Sequence, residues 1–187
     1  QRIHYVISGG QSFFEKAEIK DVMAYLRLIV NADDDPAFIR AVTTPKRGIG
    51  ATTLEKLGTY AAGRHISLFT AVFEIGLEEH LKSNAIEDLQ RFCQLINQMR
   101  YRAEREPAGQ VLNDLLKAIG YEQWLYDQDN PKTAETRWKN VMDMAAWLAR
   151  KGEEDEKNLM ELTQTIAIIT LLEGREETEV DAVRLTT

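Results

Sequence analysis

The chain has 187 residues, 44% apolar and 28% charged, which fits one compact domain that buries a core without disulfides or metals. A single cysteine, Cys93, excludes a disulfide within the chain and a cysteine-built zinc site, and it fits a reducing compartment. No apolar run approaches the ~18 residues of a membrane span, and a net charge of −7 excludes a surface that grips polyanions all over while allowing a local basic patch.

The chain opens on a strand-like run, Ile3-His4-Tyr5-Val6-Ile7, and closes on a β-branched run, Val183-Arg184-Leu185-Thr186-Thr187. Both are expected as short strand remnants. Because neither end tapers into polar residues, the chain reads as an excised piece of a larger protein. Gly9-Gly10 reads as a turn from the first strand into a helix. No Gly-x-x-x-x-Gly-Lys-Ser/Thr follows, and Ser12-Phe13-Phe14 places bulk where a backbone would approach phosphate, so no nucleotide cradle is expected there.

From Glu18 the apolar residues Ile19, Val22, Met23, Leu26, Ile29 and Val30 recur at spacings of three and four, one face of a helix. Asn31-Ala32-Asp33-Asp34-Asp35-Pro36 ends it and starts a short helix through Phe38, Ile39 and Val42. Pro45 to Gly50 is a turn. Further helices are expected at 52–62, 67–75, 84–103, 107–119, 133–151 and 158–173, with Gly120 and Asn130-Pro131 as punctuation. The predicted fold class is therefore all-α, a helical bundle with a strand remnant at each terminus. Residues 150–187 hold −5 of the net charge, and the acidic runs 153–156 and 176–179 are expected as solvated connections around the last helix.

Chemistry is sparse. His4, His65 and His80 share no metal-ligand spacing, and no metal ligands are assigned. Cys93 lies at an apolar helical position and is expected in the core. No pair of carboxylates is placed around a substrate, and no catalytic residue is assigned. Arg91, Arg100, Arg102 and Arg105 lie on a long helix and its end, where cations complement the dipole. Trp124, Trp138 and Trp147, with Tyr121 and Tyr126, have helical spacing beside Leu125, Val141 and Leu148, and they are expected to pack in the core.

One segment stands out: Pro45-Lys46-Arg47-Gly48-Ile49-Gly50-Ala51-Thr52-Thr53-Leu54-Glu55. Two glycines around one isoleucine allow a tight reversal between helices while the isoleucine plugs the core. Thr52 and Glu55 fit a capping box that opens the next helix. The outward N–H groups of such a turn, reinforced by the helix dipole, form an anion site suited to phosphate. Lys46 and Arg47 add charge, and Arg40 is expected one or two turns back on the preceding helix. Lys46, Arg47, Gly48, Ile49, Gly50, Thr52 and Thr53 are the candidate DNA-binding residues, in a helix–hairpin–helix-like element that holds a backbone without reading bases. The spacing alone equally describes a merely structural corner.

Taken together, several runs resemble superfamily 1 DNA helicases of the UvrD/PcrA/Rep type. They are Tyr5-Val6-Ile7-Ser8-Gly9-Gly10-Gln11-Ser12-Phe13-Phe14, Glu18-Ile19-Lys20-Asp21, Ala24-Tyr25-Leu26-Arg27, Asn31-Ala32-Asp33-Asp34-Asp35 and Pro45-Lys46-Arg47-Gly48-Ile49-Gly50. Tyr121-Glu122-Gln123-Trp124-Leu125-Tyr126 and Arg137-Trp138-Lys139-Asn140-Val141 resemble the Rep branch most closely. The final β-branched run resembles the strand leading into that family's His-x-Ala/Ser-Lys-Gly-Leu-Glu motif.

The resemblance implies a 3′-to-5′ ATP-dependent helicase as the parent protein, with two RecA-like lobes, 1A and 2A, and helical insertions 1B and 2B. Residues 1–27 would end lobe 2A, residues 28–181 would form the 2B subdomain, and residues 182–187 would return to 2A. Subdomain 2B would swivel on hinges near 28–36 and 176–183, hold duplex DNA non-specifically through the Gly-Ile-Gly hairpin, and modulate unwinding. Ala32 stands where the family often has proline, which would loosen the first hinge. ATP and Mg²⁺ would serve the parent, with no cofactor in this chain. The partners implied are the double-stranded DNA backbone, the 2A and 1B subdomains and replication-fork proteins, in a bacterial cytoplasm at the nucleoid. Two other readings stay open: a helical protein-docking platform with little DNA affinity, and an independent small-molecule enzyme.

Overall fold

The computed structural model describes the backbone of residues 11–186 and the side chains of residues 13–172. Every regular element among the described residues is helical. A short α1 (Gln11–Glu15) leads into α2 (Ala17–Val30), followed by α3 (Asp35–Thr43), α4 (Ala51–Arg64), α5 (Leu68–Val72) and a 3₁₀ turn (Ile75–Glu79). Then come α6 (Ser83–Ala103), α7 (Ala108–Ile119), α8 (Tyr121–Gln128), α9 (Pro131–Asp155) and α10 (Leu159–Thr186). The first strand-like run and Gly9-Gly10 lie outside the described residues. At the other end α10 continues through Thr186, so residues 183–186 are helical where a returning strand is expected. Without neighbouring strands a β-branched run has no partners for its backbone groups, whereas extending the helix pairs them within the run.

Helix α2 is the hub. It buries Ile19, Val22, Ala24, Tyr25, Leu26, Leu28 and Ile29 and packs against α3, α6, α9 and α10. It runs unbroken across the expected 27/28 domain boundary, and the first non-helical residues are 31–34. Asp34 then opens α3, accepting the Ala37 N–H at 3.1 Å, with Pro36 in the first turn.

Two carboxylates on the buried face of α2 are matched by specific partners. Asp21 accepts from Arg40 Nε at 2.9 Å and from the Tyr121 hydroxyl at 2.7 Å. Glu18 accepts from Asn140 Nδ2 at 2.8 Å. Burying such groups is tolerable only because each is hydrogen-bonded. Burial, and the adjacent Asp21 carboxylate, hold the Tyr121 hydroxyl well above the ordinary tyrosine range, so it stays protonated and donates.

The second half folds back on α2. Asn130 caps α9, accepting the Thr133 N–H at 2.9 Å with Pro131 behind it. Gly120, at φ +67°, ends α7 and turns directly into α8. That helix lies in the stretch between the two punctuation marks where no helix is expected. Helices α7 and α9 cross closely enough that a Cβ built on Gly109 would lie 2.5 Å from Ala149 Cβ.

Cys93, Tyr121 and Trp147 are in the core, Trp124 and Trp138 pack against its edge, and Tyr126 is exposed. Arg100 stabilises a helix end other than its own: its Nε donates to Ile29 O in the last turn of α2 at 2.8 Å. No helix among the described residues is long and apolar enough to cross a membrane.

Candidate nucleic-acid interface

The Lys46–Thr53 segment joins α3 to α4 at the edge of the bundle, where α4 buries only Leu57 and Ala61. Ile49 is 8% exposed and belongs to the buried core, plugging the corner. The two glycines differ. Gly48 sits at φ +84°, the left-handed region that favours glycine, whereas Gly50 is extended at φ −95°, ψ 176°, which any residue adopts. A Cβ built on either meets nothing within 4 Å. The expected requirement for glycine therefore falls on Gly48 for conformation, and at both positions the space above the backbone is open.

The expected capping box is absent. Helix α4 begins one residue early, its N-cap is Gly50, and no side chain caps its first turn. Thr52 is exposed and Thr53 half-buried in that turn. The first-turn N–H groups of an uncapped helix have no intrahelical acceptor, so they are left for solvent or a ligand, and the dipole favours an anion there.

The two cations play different parts. Lys46 is exposed and forms no ion pair or hydrogen bond among the described residues. Arg47 is half-buried, and two of its guanidinium donors bind within the fold. Nη1 donates to Ala41 O at 2.9 Å, Nη2 donates to the Tyr25 hydroxyl at 2.5 Å, and the plane lies 4.7 Å from the Phe92 ring centroid. The Tyr25 hydroxyl in turn lies 2.9 Å from Ala41 O and 2.6 Å from Thr44 O. Burial raises it to about 12 despite the nearby guanidinium, so it remains a neutral donor. Arg47 thus ties the corner to α2, α3 and α6. Its partners are neutral, so its positive charge is not cancelled. Arg40 is directed away from the corner and is committed to Asp21.

The corner stands as a ridge between two grooves floored by α6. One, of about 470 Å³, is lined by Lys46, Arg47, Asp88, Arg91, Gln94 and Gln98. The other, of about 540 Å³, is lined by Thr52, Thr53, Lys56, Glu78, Glu79 and Lys82, and Asp88 borders both. Of these α6 residues only Arg91 stands out in the sequence, and there only as a partner of the helix dipole. Their convergence on the corner is tertiary, and helix spacing carries no signal of it. Among the described residues no group of three or more His, Cys, Asp or Glu converges to hold a metal ion.

The UvrD-like helicase C-terminal domain family model matches residues 1–187, and the chain belongs to that family. It is 46% identical to the ATP-dependent DNA helicase Rep of Salmonella typhimurium over 192 residues, covering 100% of this chain. The identity is also 46% to the Escherichia coli Rep helicase, and it is 35% to DNA helicase II of Escherichia coli over 98% of the chain. The chain spans only 28% of the Rep proteins' length and 26% of DNA helicase II.

Proposed function

We propose that this chain is the 2B-type regulatory subdomain, with short flanks of lobe 2A, of a Rep-like ATP-dependent 3′-to-5′ DNA helicase, and that it holds duplex DNA without reading its sequence. The observation that carries the reading is the α3–α4 corner: an uncapped helix start, open space over Gly48 and Gly50, and the exposed Lys46 beside them. A helix–hairpin–helix of this kind places backbone N–H groups against a phosphate, a contact that positions a duplex but discriminates no base. ATP and Mg²⁺ are used by the motor lobes of the parent, and the partners are duplex DNA, the 2A and 1B subdomains and replication-fork proteins. The first hinge lies at residues 31–34, where α2 ends, and the Arg27–Asp34 ion pair at 3.3 Å spans it.

The test is a fluorescence-anisotropy titration of the chain with a labelled duplex at low salt. Binding is expected to be weak, independent of sequence, and shallow in salt, with a slope on the order of −2 to −3 for two or three phosphates. Lys46→Ala should weaken it and flatten the slope by about one. Unchanged affinity in Lys46→Ala would overturn the hairpin assignment. The chain alone should show no magnesium-dependent ATPase activity, since phosphoryl transfer requires a phosphate cradle, a metal-holding carboxylate and a charge-stabilising arginine at one nucleotide. Activity that scales with chain concentration through further purification would place the chain elsewhere in the parent.

A further inference from the structure

The geometry points to a second line of duplex contact on α6: the groove lined by Arg91, Gln94 and Gln98, meeting the corner at Lys46, takes phosphates adjoining the one at the α4 start. This rests on the duplex-binding reading above and adds residues that no feature of the Gly-Ile-Gly segment assigns.

Charge decides between the two grooves. The Lys46 groove holds three cations, Lys46, Arg47 and Arg91, against one acid, Asp88. Across the ridge, Lys56 and Lys82 stand beside His80 and face three acids, Glu78, Glu79 and Asp88. On a chain of net charge −7, a polyanion leaving the α4 start meets less repulsion over the first groove. Arg47 adds its positive charge there, since two of its donors bind neutral groups within the fold and none of its partners is acidic.

The side chains suit the role. Arg91, Gln94 and Gln98 follow one another at steps of three and four residues, so they line one face of α6 about a helical turn apart. All three are exposed, and glutamine amides and arginine guanidinium groups both donate to phosphate oxygens. Arg91 is paired with Asp88 at 2.8 Å, but its side chain is 70% exposed. An exposed pair of this kind contributes little and exchanges readily for a phosphate. The floor is formed by Phe92, Leu95 and Ile119, which offer no competing polar partner.

The experiment uses the whole chain and a labelled duplex at low salt, comparing Gln94→Glu/Gln98→Glu with Gln110→Glu, an exposed site on α7 outside the groove. All changed residues are exposed, and matched thermal melts confirm an unchanged fold. The groove pair should weaken binding about tenfold, as expected for two added charges close to phosphates, while Gln110→Glu leaves it within about twofold. Arg91→Gln should flatten the salt slope by about one. If Lys46→Ala weakens binding while the groove pair behaves like Gln110→Glu, the groove assignment falls and the hairpin reading stands. A groove pair that weakens binding while Lys46→Ala is silent breaks the meeting at Lys46 and overturns both. Competition by polyglutamate that depends on the groove residues, with duplex binding indifferent to them, would make the groove a site for acidic protein and overturn this proposal as well.

Discussion

Lys46 and Arg47 are adjacent and equally charged, yet the fold uses one as a surface charge and the other as a tie. Arg47→Ala removes two charge-assisted hydrogen bonds and a cation–π contact, so it should lower unfolding free energy by about 2–3 kcal/mol. Lys46→Ala should change it by less than about 0.5 kcal/mol. Urea denaturation of both variants checks this, and equal effects would contradict the division of roles. A double variant at both positions would confuse lost stability with lost phosphate contact, so the two residues have to be changed separately.

At the same scale, the Cys93 thiol is pushed by burial from its ordinary 9.0 up to about 12. The unfolded chain therefore releases that proton first as pH rises, and unfolding is increasingly favoured. The sign follows directly: this stabilisation is complete below pH 9 and is lost as pH climbs toward about 12. Cys93→Ala should start from a lower stability, because it leaves a small cavity, but should lose stability less steeply over that range. Urea midpoints at several pH values read the slope, and identical slopes would remove Cys93 from the account.

Among the elements, the close crossing of α7 and α9 invites a reciprocal test. Gly109→Ala places a methyl group against Ala149 and should destabilise by about 1–3 kcal/mol, as overpacking does. Combining it with Ala149→Gly should recover part of the loss, beyond the ordinary cost of glycine within a helix. Thermal melts of the two single variants and the pair decide it, and strict additivity would mean that the two positions do not touch.

This scale also shows what the sequence could convey. The apolar periodicity around Ile19 and the Asp34-Asp35-Pro36 start are local signals, and helices begin there, whereas Asn130-Pro131 reads as punctuation and α9 begins at Pro131, two residues ahead of the expected 133. Helix α8 offers only the helical spacing of Tyr121, Trp124 and Leu125 and no start signal, because Gly120 reads as a stop while its φ of +67° also serves as the entry to the next helix. At the candidate site, the two-glycine turn and buried Ile49 were legible. The burial of Arg47 was not, since it depends on Tyr25 and Phe92 arriving from distant helices. The α6 groove was hidden for the same reason.

For the molecule as a whole, the closing contacts of α2 are distant in sequence. Arg100 reaches Ile29 across 71 residues, Tyr121 reaches Asp21 across 100, and Asn140 reaches Glu18 across 122. During synthesis α2 leaves the ribosome with its buried acids and much of its apolar surface uncovered. At ordinary elongation rates of ~5–20 residues per second, Asn140 follows Glu18 by roughly 6–24 seconds. Over that interval the helix has only its local partner α3 and the nascent α6 to lean on. Ribosome-stalled chains ending near residue 130 should therefore be cut readily within α2 by a brief protease pulse. Chains stalled after α10 has fully emerged should resist it. The buried polar links that hold the finished bundle together thus also fix the order in which its parts can become stable, with the earliest major helix among the last to be secured.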